Sequence, residues 1–298
     1  MPSPTEDGPR ANALTVGPLL PDAAVASGEV GDSFVAVKKF YSFCAIEDET
    51  FQREVDCLMR IKHRNIVQFV GYCAEMHVEV VREGPKNIFA ESRAKLLCFE
   101  YLHNGSLRRH LTDKPCELQW HVCYQIIKGI CRGLHYLHEK NIIHLDLKPD
   151  NILLDDGMVP KIADFGLSRL LVKEKAALGY MAPEYLHGGA ITTKSDIYSL
   201  GVIIREMVIG RHKMGAPTDN ALESWKTRLE LDSSHMKQIP LEVGYQQVEA
   251  CIEISRICTD TNPDNRPATL EILHKLEETE TVDATCSPVL AQNGRYRG

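Results

Sequence analysis

The sequence predicts an α+β fold of two lobes, in which a small β-rich lobe precedes a larger helical lobe. Up to about residue 101, β-branched and apolar residues form short alternating runs, which is typical of strands. Beyond the turn dipeptide Asn104-Gly105, apolar residues recur at helical spacing over longer segments. A chain of 298 residues can bury the core of two such lobes, and a cleft between them is a usual place for a ligand.

The small lobe is predicted to contain three strands around one helix. The strands are Ser33–Phe40, Ile66–Cys73 and Leu96–Tyr101. The helix covers Glu49–Ile61, where the apolar residues share one face. The polar segment Met76–Ala94 shows no regular period, and we expect a hairpin with a loop there. Residues 1–27 are rich in Pro, Gly and Ala without a clear period, and we expect them to be poorly ordered.

The large lobe is predicted to be mainly helical. Six segments show helical spacing: Leu107–Leu111, Trp120–His138, Thr193–Gly210, Leu222–Leu231, Gln246–Cys258 and Leu270–Glu277. Two short strands are predicted in the same lobe, at Ile152–Leu154 and Val159–Ile162. The doublet Arg108-Arg109 in the first of these helices indicates a solvated helix face.

Composition excludes several classes of function. The net charge of −7 and the pI near 6.0 come without the clustered Lys and Arg of a nucleic-acid-binding surface. The ten Cys form no C-x-x-C pair, so no zinc site is expected. They are predicted to be small buried residues of a reducing compartment, and a disulfide framework is the less favoured alternative. No run of about eighteen apolar residues occurs, so no transmembrane segment is predicted.

Residues suited to chemistry are concentrated in one short stretch, His144-Leu145-Asp146-Leu147-Lys148-Pro149-Asp150-Asn151. It places a carboxylate, an ammonium group and an amide close together in the chain. Asp164-Phe165-Gly166 begins thirteen residues after Asn151, and Ala182-Pro183-Glu184 follows. Two carboxylates and an amide at this spacing can hold a divalent metal on a triphosphate and orient a hydroxyl group towards it.

In this order the motifs resemble those of the eukaryotic protein kinase family. Three phrases are similar to those of plant receptor-like kinases and their cytoplasmic relatives: His63-Arg64-Asn65-Ile66-Val67, Asn104-Gly105-Ser106-Leu107 and Gly179-Tyr180-Met181-Ala182-Pro183-Glu184-Tyr185. The resemblance implies a bilobal protein-kinase-like fold with a shortened N-terminal lobe. We therefore predict a kinase domain over 28–278, divided into lobes at 28–102 and 103–278, and a tail at 279–298.

The resemblance implies catalytic roles for Asp146, Lys148 and Asn151. Asp146 would accept or orient the proton of the attacking hydroxyl group, and Lys148 would neutralise charge on the transferred phosphoryl group. Asn151 and Asp164 would ligate Mg²⁺ through oxygen, as hard divalent cations prefer. Lys148 in this loop resembles the serine/threonine-specific branch, so Ser and Thr hydroxyls of proteins are the expected acceptors.

The resemblance also implies an ATP site. Lys38 would bind the α- and β-phosphates, and Glu54 on the following helix would hold the Lys38 ammonium group in one pose. Phe99 would lie at the back of the adenine pocket, where Glu100 and Leu102 would offer backbone groups to the base. The roof and the floor of the pocket would be formed by Ala36 and Leu153.

Three further residues resemble structural supports of the family. Glu184 and Arg266 match a buried ion pair, and Asp196 matches an acidic residue at a helix start that holds the catalytic loop.

The phosphate loop departs from the family pattern. A G-x-G-x-x-G sequence should precede Lys38, but only Gly28 and Gly31 stand there. Gly28-Glu29-Val30 could be the remnant of that loop, joined almost directly to the strand of Lys38. Because backbone amides of such a loop cover the phosphates, its loss puts nucleotide affinity in question.

The activation segment departs from the pattern as well. Leu145 replaces the Arg that usually receives a phosphate on this segment, which implies activity that is not gated in that way. Asp164–Glu184 is only 21 residues long and has no Ser or Thr between Arg169 and Tyr180, so the usual phosphosite is missing. Ala176-Ala177 replaces a Gly-Thr pair, which makes docking of a peptide substrate less secure than the metal site.

The predicted function is transfer of the γ-phosphoryl group of Mg-ATP to protein Ser and Thr hydroxyls in signalling. The alternative is a pseudokinase or signalling scaffold with weak or absent catalysis, because the phosphate loop and the activation segment are reduced. Membrane receptors and other kinases are the further partners that the resemblance implies, and nucleic acid is not expected. The expected location is the cytoplasm, extending to the inner face of the plasma membrane.

Overall fold

A computed structural model describes most of the chain. The described residues are 23–30, 33–40, 48–83, 86–111, 118–165, 179–210, 219–233 and 240–281. Of the predicted segments, residues 1–22 and most of the tail at 279–298 lie outside them, as do Gly31, Gly166 and the alanines at 176 and 177. Among the described residues, no helix is both long and apolar enough to cross a lipid bilayer.

The small lobe is a four-stranded antiparallel sheet with one helix. Its strands are β1 (Ala23–Val30), β2 (Ser33–Phe40), β3 (Phe69–Glu83) and β4 (Lys86–Glu100), in the order β1-β2-β4-β3. Helix α1 (Asp48–Arg60) follows β2. The side chains of Phe51, Val55 and Leu58 recur at three- and four-residue spacing and are all buried, as the sequence predicted.

Two features of the small lobe differ from the sequence prediction. Residues Ala23–Ser27 form the start of β1, although we expected disorder up to residue 27. Pairing explains the difference, because the β1 backbone is matched along its whole length with β2, from Ala23 opposite Phe40 to Val30 opposite Ser33. The predicted hairpin over Met76–Ala94 is confirmed, but its two arms pair regularly as the distal part of β3 and β4, with Glu83 opposite Lys86. Residues 84 and 85, where its loop would lie, are outside the described residues.

The large lobe has the predicted helical character. After a 3-10 turn at Leu107–His110, its helices are α2 (Trp120–Glu139), α3 (Pro183–Leu186), α4 (Thr193–Ile209), α5 (Asp219–Ser233), α6 (Leu241–Cys258) and α7 (Thr269–Thr281). Two short antiparallel strands, β5 (Ile152–Leu154) and β6 (Pro160–Ile162), also match the prediction. Helices α2, α4 and α6 supply most of the apolar core.

The cysteines behave as the composition predicted. All seven Cys among the described residues are free thiols. Cys131, Cys251 and Cys258 are completely buried among the helices. Burial raises the pKa of each of these three thiols, so they remain protonated and unreactive.

Helix α2 of the large lobe lies directly against the segment between α1 and β3 of the small lobe. Asn65 donates from Nδ2 to the Pro160 carbonyl oxygen at 2.9 Å, and the Ile162 amide donates to the Asn65 carbonyl oxygen at 2.9 Å. Gly133 of α2 makes the close approach possible, because a Cβ there would lie 2.6 Å from the Asn65 carbonyl oxygen. The segment that precedes β3 is thereby fixed to β6 and to the large lobe.

We predict that Gly133→Ala destabilises the protein. Alanine would favour the helix by roughly 1 kcal/mol, but the clash is with a backbone oxygen that cannot rotate away. Overpacking of this kind costs about 1–3 kcal/mol, so the net free energy of unfolding should fall. Urea unfolding monitored by circular dichroism measures the change.

Gly71→Ala provides the matched control, because no atom lies within 4 Å of a Cβ at position 71. Its urea midpoint should stay close to that of the wild type. Equal midpoints for the two variants would contradict the close packing of α2 against Asn65.

Candidate active site between the lobes

The loop between α2 and β5 is fixed by one buried carboxylate. Asp196, in the first turn of α4, has no exposed surface. It accepts hydrogen bonds from the backbone amides of His144 and Leu145, each at 2.8 Å, and it lies 3.0 Å from Nε2 of His138. Leu145 has a φ of 64°, a left-handed conformation that costs a leucine roughly 1 kcal/mol. The paired amide bonds to Asp196 offset this cost, and the prediction that Asp196 holds the loop is confirmed.

His144 joins this loop to the strand that precedes Asp164. The His144 side chain is completely buried. Its Nδ1 accepts a hydrogen bond from the Asp146 amide at 3.2 Å, so the proton is on Nε2, which donates to the Ala163 carbonyl oxygen at 2.9 Å. The Ala163 amide in turn donates to the Asn151 carbonyl oxygen at 2.8 Å. Asp164 therefore has a fixed position relative to both Asp146 and Asn151.

The three predicted catalytic residues are in direct contact. Lys148 Nζ donates to Asp146 Oδ2 at 2.9 Å and to Oδ1 at 3.2 Å. Asn151 Nδ2 donates to the Asp146 carbonyl oxygen at 2.8 Å and to its Oδ2 at 3.0 Å. The 3-10 turn Pro149–Asn151 brings the amide back to Asp146. Asp146 and Lys148 are both about one quarter exposed, so an incoming group could reach them.

Asp164 points towards the small lobe. Its φ is 60°, which turns the chain sharply where β6 has ended. Its Oδ1 forms an ion pair with Lys38 Nζ at 3.0 Å, and Lys38 on β2 is buried. Glu54 is half-buried on α1, and its pairing with Lys38 stays a prediction.

Asn151 and Asp164 have a donor set that fits Mg²⁺. Asn151 uses Nδ2 for both of its bonds to Asp146, which leaves Oδ1 as a possible ligand. Asp164 contributes carboxylate oxygens from a side chain that is 39% exposed. In the described part of the chain, no cluster of three or more His, Cys, Asp or Glu could hold a metal. Two protein ligands suffice for Mg²⁺ when phosphate oxygens and water complete the coordination shell.

The predicted adenine-binding residues lie on both sides of the junction between the lobes. Ala36 on β2 is opposite Phe99 on β4 and half-buried, and Leu153 on β5 is half-buried below the junction. The Leu154 amide donates to the Gly105 carbonyl oxygen at 2.9 Å, which fixes β5 under the turn Leu102–Gly105. These positions are compatible with the predicted roof and floor.

Glu100 is held more firmly than the sequence indicated. Its amide donates to the Gln68 carbonyl oxygen at 3.0 Å, so this amide is already bonded within the protein. Its carboxylate accepts from the Gln68 amide at 2.8 Å and from Lys161 Nζ at 2.7 Å. Glu100 therefore links β4 to β6 of the large lobe. For binding a base through Glu100, the carbonyl oxygen is the remaining backbone group.

The predicted ion pair between Glu184 and Arg266 is present. Arg266 is almost completely buried, and its Nη1 and Nη2 donate to the two Glu184 oxygens at 2.7 and 2.8 Å. This forked contact fixes α3 to the segment before α7. The Arg266 hydrogen bonds hold the pKa of Glu184 below its ordinary value.

One cluster of charged residues was not predicted as such. Arg108 forms ion pairs with Asp150 and Glu206 and donates a hydrogen bond to the Tyr180 hydroxyl group. The interpretation of Arg108-Arg109 as a solvated face is wrong for Arg108, whose side chain is 19% exposed, whereas Arg109 is exposed. Two adjacent residues of a short helical turn point in different directions, so only one Arg of the doublet could face the core. This is the only local signal in the sequence for the role of Arg108.

Comparisons with known proteins agree with this arrangement. The family described as "Protein kinase domain" matches residues 26–276. Similar proteins of Arabidopsis thaliana include the G-type lectin S-receptor-like serine/threonine-protein kinases At1g61480, which is 35% identical over 283 residues, and SD1-29, which is 33% identical over 297 residues. The alignments cover 88% and 92% of this chain but 33% and 34% of those proteins. The chain therefore spans about a third of the length of these curated relatives.

A solved structure shares the fold. The pseudokinase domain of BIR2, an immune regulator of the RLK/Pelle family, aligns with a TM-score of 0.66 and 24% sequence identity. The alignment covers 90% of this chain and 82% of that chain. At this level of identity, the similarity establishes the bilobal architecture.

We predict that Glu184→Gln weakens the acid dependence of stability. Because the pKa of Glu184 is depressed in the folded state, its ion pair contributes stability above the ordinary value of 4.5. The wild type loses this contribution as the pH falls from about 4.5 through the lower folded pKa, whereas the variant has no such group to protonate. At pH 7, leaving Arg266 buried and unpaired should lower the free energy of unfolding by about 3–5 kcal/mol.

Urea unfolding between pH 3 and pH 7 measures both effects. Glu253→Gln is the control, because Glu253 pairs with Arg256 on the surface of α6. Such an exposed pair contributes roughly 0–1 kcal/mol. Equal losses at pH 7 for the two variants would contradict the importance of the buried pair.

Proposed function

The chain belongs to the protein kinase family, and we propose that it transfers the γ-phosphoryl group of Mg-ATP to Ser and Thr hydroxyls of proteins. The observation that carries this proposal is the convergence of Asp146, Lys148, Asn151, Asp164 and Lys38 at the junction of the two lobes. Direct contacts link Lys38 to Asp164, and Asp146 to Lys148 and Asn151. Backbone bonds through Ala163 connect the two groups.

The proposed roles follow from these contacts. Asp146 accepts or orients the proton of the incoming hydroxyl group, in a pose that Lys148 and Asn151 maintain. Lys148 lies close enough to Asp146 to act on the same acceptor, and its ammonium group stabilises the charge of the phosphoryl group in transfer. Little covalent chemistry is required of the protein, because phosphoryl transfer depends mainly on positioning and charge stabilisation.

Magnesium is proposed to bind through Asn151 Oδ1 and the Asp164 carboxylate. When bound, the metal would neutralise negative charge on the phosphate oxygens. Lys38 now neutralises part of the Asp164 charge, and in the nucleotide complex it would also bind phosphate oxygens. The family as a whole uses ATP and Mg²⁺, and their binding by this chain belongs to the proposal.

A pseudokinase or scaffold is the second candidate. It is favoured by the short connection between β1 and β2, because Val30 is paired with Ser33 and leaves room for two residues only. A Gly-rich loop that covers the phosphates does not fit into this connection. Among the described residues, nucleotide would then be held by Lys38, the metal ligands and the adenine-binding residues, and residues 1–22 ahead of β1 lie outside this part of the chain.

The partners proposed for the chain are proteins with Ser or Thr acceptors. The names of the relatives describe receptor-like serine/threonine kinases, which supports membrane receptors and other kinases as further partners. A site in the cytoplasm or at the inner face of the plasma membrane is proposed on the same basis. The proposed domain remains 28–278, and β1 indicates that ordered structure begins at least five residues earlier.

We predict that Asp146→Asn reduces phosphoryl transfer strongly. The amide keeps the shape of the carboxylate but cannot accept the hydroxyl proton, and such groups contribute about 10²- to 10⁴-fold to rates. Incorporation of ³²P from labelled ATP into a mixture of Ser- and Thr-containing peptides measures the effect. Asp156→Asn is the control, because Asp156 lies in an exposed turn after β5 and should leave the rate unchanged. Equal incorporation by Asp146→Asn and the wild type would exclude the enzymatic proposal.

Nucleotide binding is tested separately by thermal unfolding with Mg-ATP. Ligand at 100 times its Kd should stabilise the folded state by roughly 2.7 kcal/mol. Lys38→Met should reduce this stabilisation, whereas Lys39→Met should keep it because Lys39 is on the exposed face of β2. An unchanged melting temperature of the wild type at millimolar Mg-ATP would support the pseudokinase alternative.

A further inference from the structure

Arg108 is the centre of a closed network of hydrogen bonds. Its Nη1 donates to Glu206 Oε1 at 2.5 Å, and its Nη2 donates to the Tyr180 hydroxyl group. The Tyr180 hydroxyl group donates to the other Glu206 oxygen. We call these three residues the Arg108–Tyr180–Glu206 network. Each side chain in it contacts the other two, so the position of any one depends on both of the others.

The network places an ion pair inside the protein. Glu206 on α4 is 1% exposed, and an uncompensated carboxylate there would carry a large desolvation cost. Arg108 supplies the compensating charge through a forked contact that lysine could not reproduce. Burial and the hydrogen bond to Glu206 raise the pKa of Tyr180 to about 12, so its hydroxyl group stays protonated and can donate.

The network also reaches the catalytic loop. Arg108 Nε donates to Asp150 Oδ2 at 3.3 Å, and Asp150 lies between Lys148 and Asn151 in the chain. Tyr180 is bound a second time, because Ser199 Oγ of α4 donates to its carbonyl oxygen at 2.7 Å. The Arg108 guanidinium group therefore links its own 3-10 turn to the catalytic loop, to α4 and to the residues that precede α3.

We propose that Arg108 is a positioning residue that fixes the segment Gly179–Leu186 beside the catalytic loop without any phosphate. Position 145 has no cation that could bind a phosphorylated activation segment, because it is Leu. Arg108 supplies a cation from a different element and pairs it with the buried carboxylate of Glu206, which requires no phosphorylation. The catalytic consequence rests on the proposed function, since the segment Gly179–Leu186 would bind the protein substrate next to Asp146.

The neighbouring arginine shows why the effect belongs to position 108. Arg109 has the same chemistry and the same 3-10 turn, but its side chain is exposed and lies over Gly105. If Arg108 contributed only general charge to this surface, the two residues would be equivalent. The geometry predicts that they are not.

The test compares Arg108→Ala and Arg109→Ala by amide hydrogen exchange. Arg108→Ala should speed exchange in residues 181–187 at least tenfold, while α6 keeps its protection, and Arg109→Ala should match the wild type. Arg108→Lys should give an intermediate result, because a single ammonium group can compensate Glu206 but cannot bind Tyr180 and Glu206 as a fork. Tyr180→Phe, which keeps the ring and removes the hydroxyl group, should also be intermediate.

Peptide kinetics provide the second measurement. Arg108→Ala should raise the KM for the peptide about tenfold, with the KM for ATP and kcat close to those of the wild type. Unchanged exchange in residues 181–187, or equal effects of Arg108→Ala and Arg109→Ala, would overturn the proposal. If Arg108→Ala does not fold, Arg108→Lys and Tyr180→Phe decide the question by the same criteria. Absence of phosphoryl transfer in the wild type would count against the proposed function, whereas hydrogen exchange would still decide the role of Arg108.

Discussion

The proposed active site depends on the negative charge of Asp196, which is completely removed from water. Placing Asp196 in the core costs several kcal/mol unless donors surround it, and the loop His144–Asn151 supplies two backbone amides. With the amides of His144 and Leu145 both donating to Asp196, Leu145 has a positive φ. The chain turns there, and Asp146 follows at the junction of the lobes. His144 then carries the same constraint to Ala163, and through it to Asp164. The positions of Asp146, Lys148, Asn151 and Asp164 therefore trace back to α4 through the loop and His144, whereas Lys38 is held on β2 and meets this group through Asp164.

Whether a contact could be predicted from the sequence depends on how far apart its two residues lie along the chain. Asp146, Lys148 and Asn151 lie within one short loop, and their local spacing was sufficient to predict that they act together. The contacts of Arg108 with Tyr180 and Glu206 span 72 and 98 residues, and no local pattern reports them. The start of β1 was missed for the same reason, because its order comes from pairing with β2 and not from its own composition. The residues proposed for chemistry were thus visible in the sequence, and the family resemblance also identified Asp196 as a support, whereas the supporting role of Arg108 became visible only in the fold.

The small lobe would bind the nucleotide through different kinds of contact from those of the large lobe. Lys38 is well fixed, since it is buried on a central strand and paired with Asp164. The connection before its strand is too short to wrap around phosphates. Among the described residues, nucleotide affinity would consequently rest on the charge of Lys38 and on the apolar contacts of Ala36 and Leu153, and less on backbone amides. This asymmetry makes nucleotide binding and phosphoryl transfer separable properties.

The double attachment of Glu100 has a mechanical consequence. The Glu100 carboxylate accepts hydrogen bonds from the Gln68 amide of the small lobe and from Lys161 of the large lobe. The end of β4 therefore cannot rotate independently of β6. Because Glu100 holds the small lobe to β6 of the large lobe, any opening of the lobes must pivot about this contact or break it. The pivot therefore lies at the Glu100 carboxylate, next to the turn that joins the lobes, and this contact restricts how far the two lobes can part.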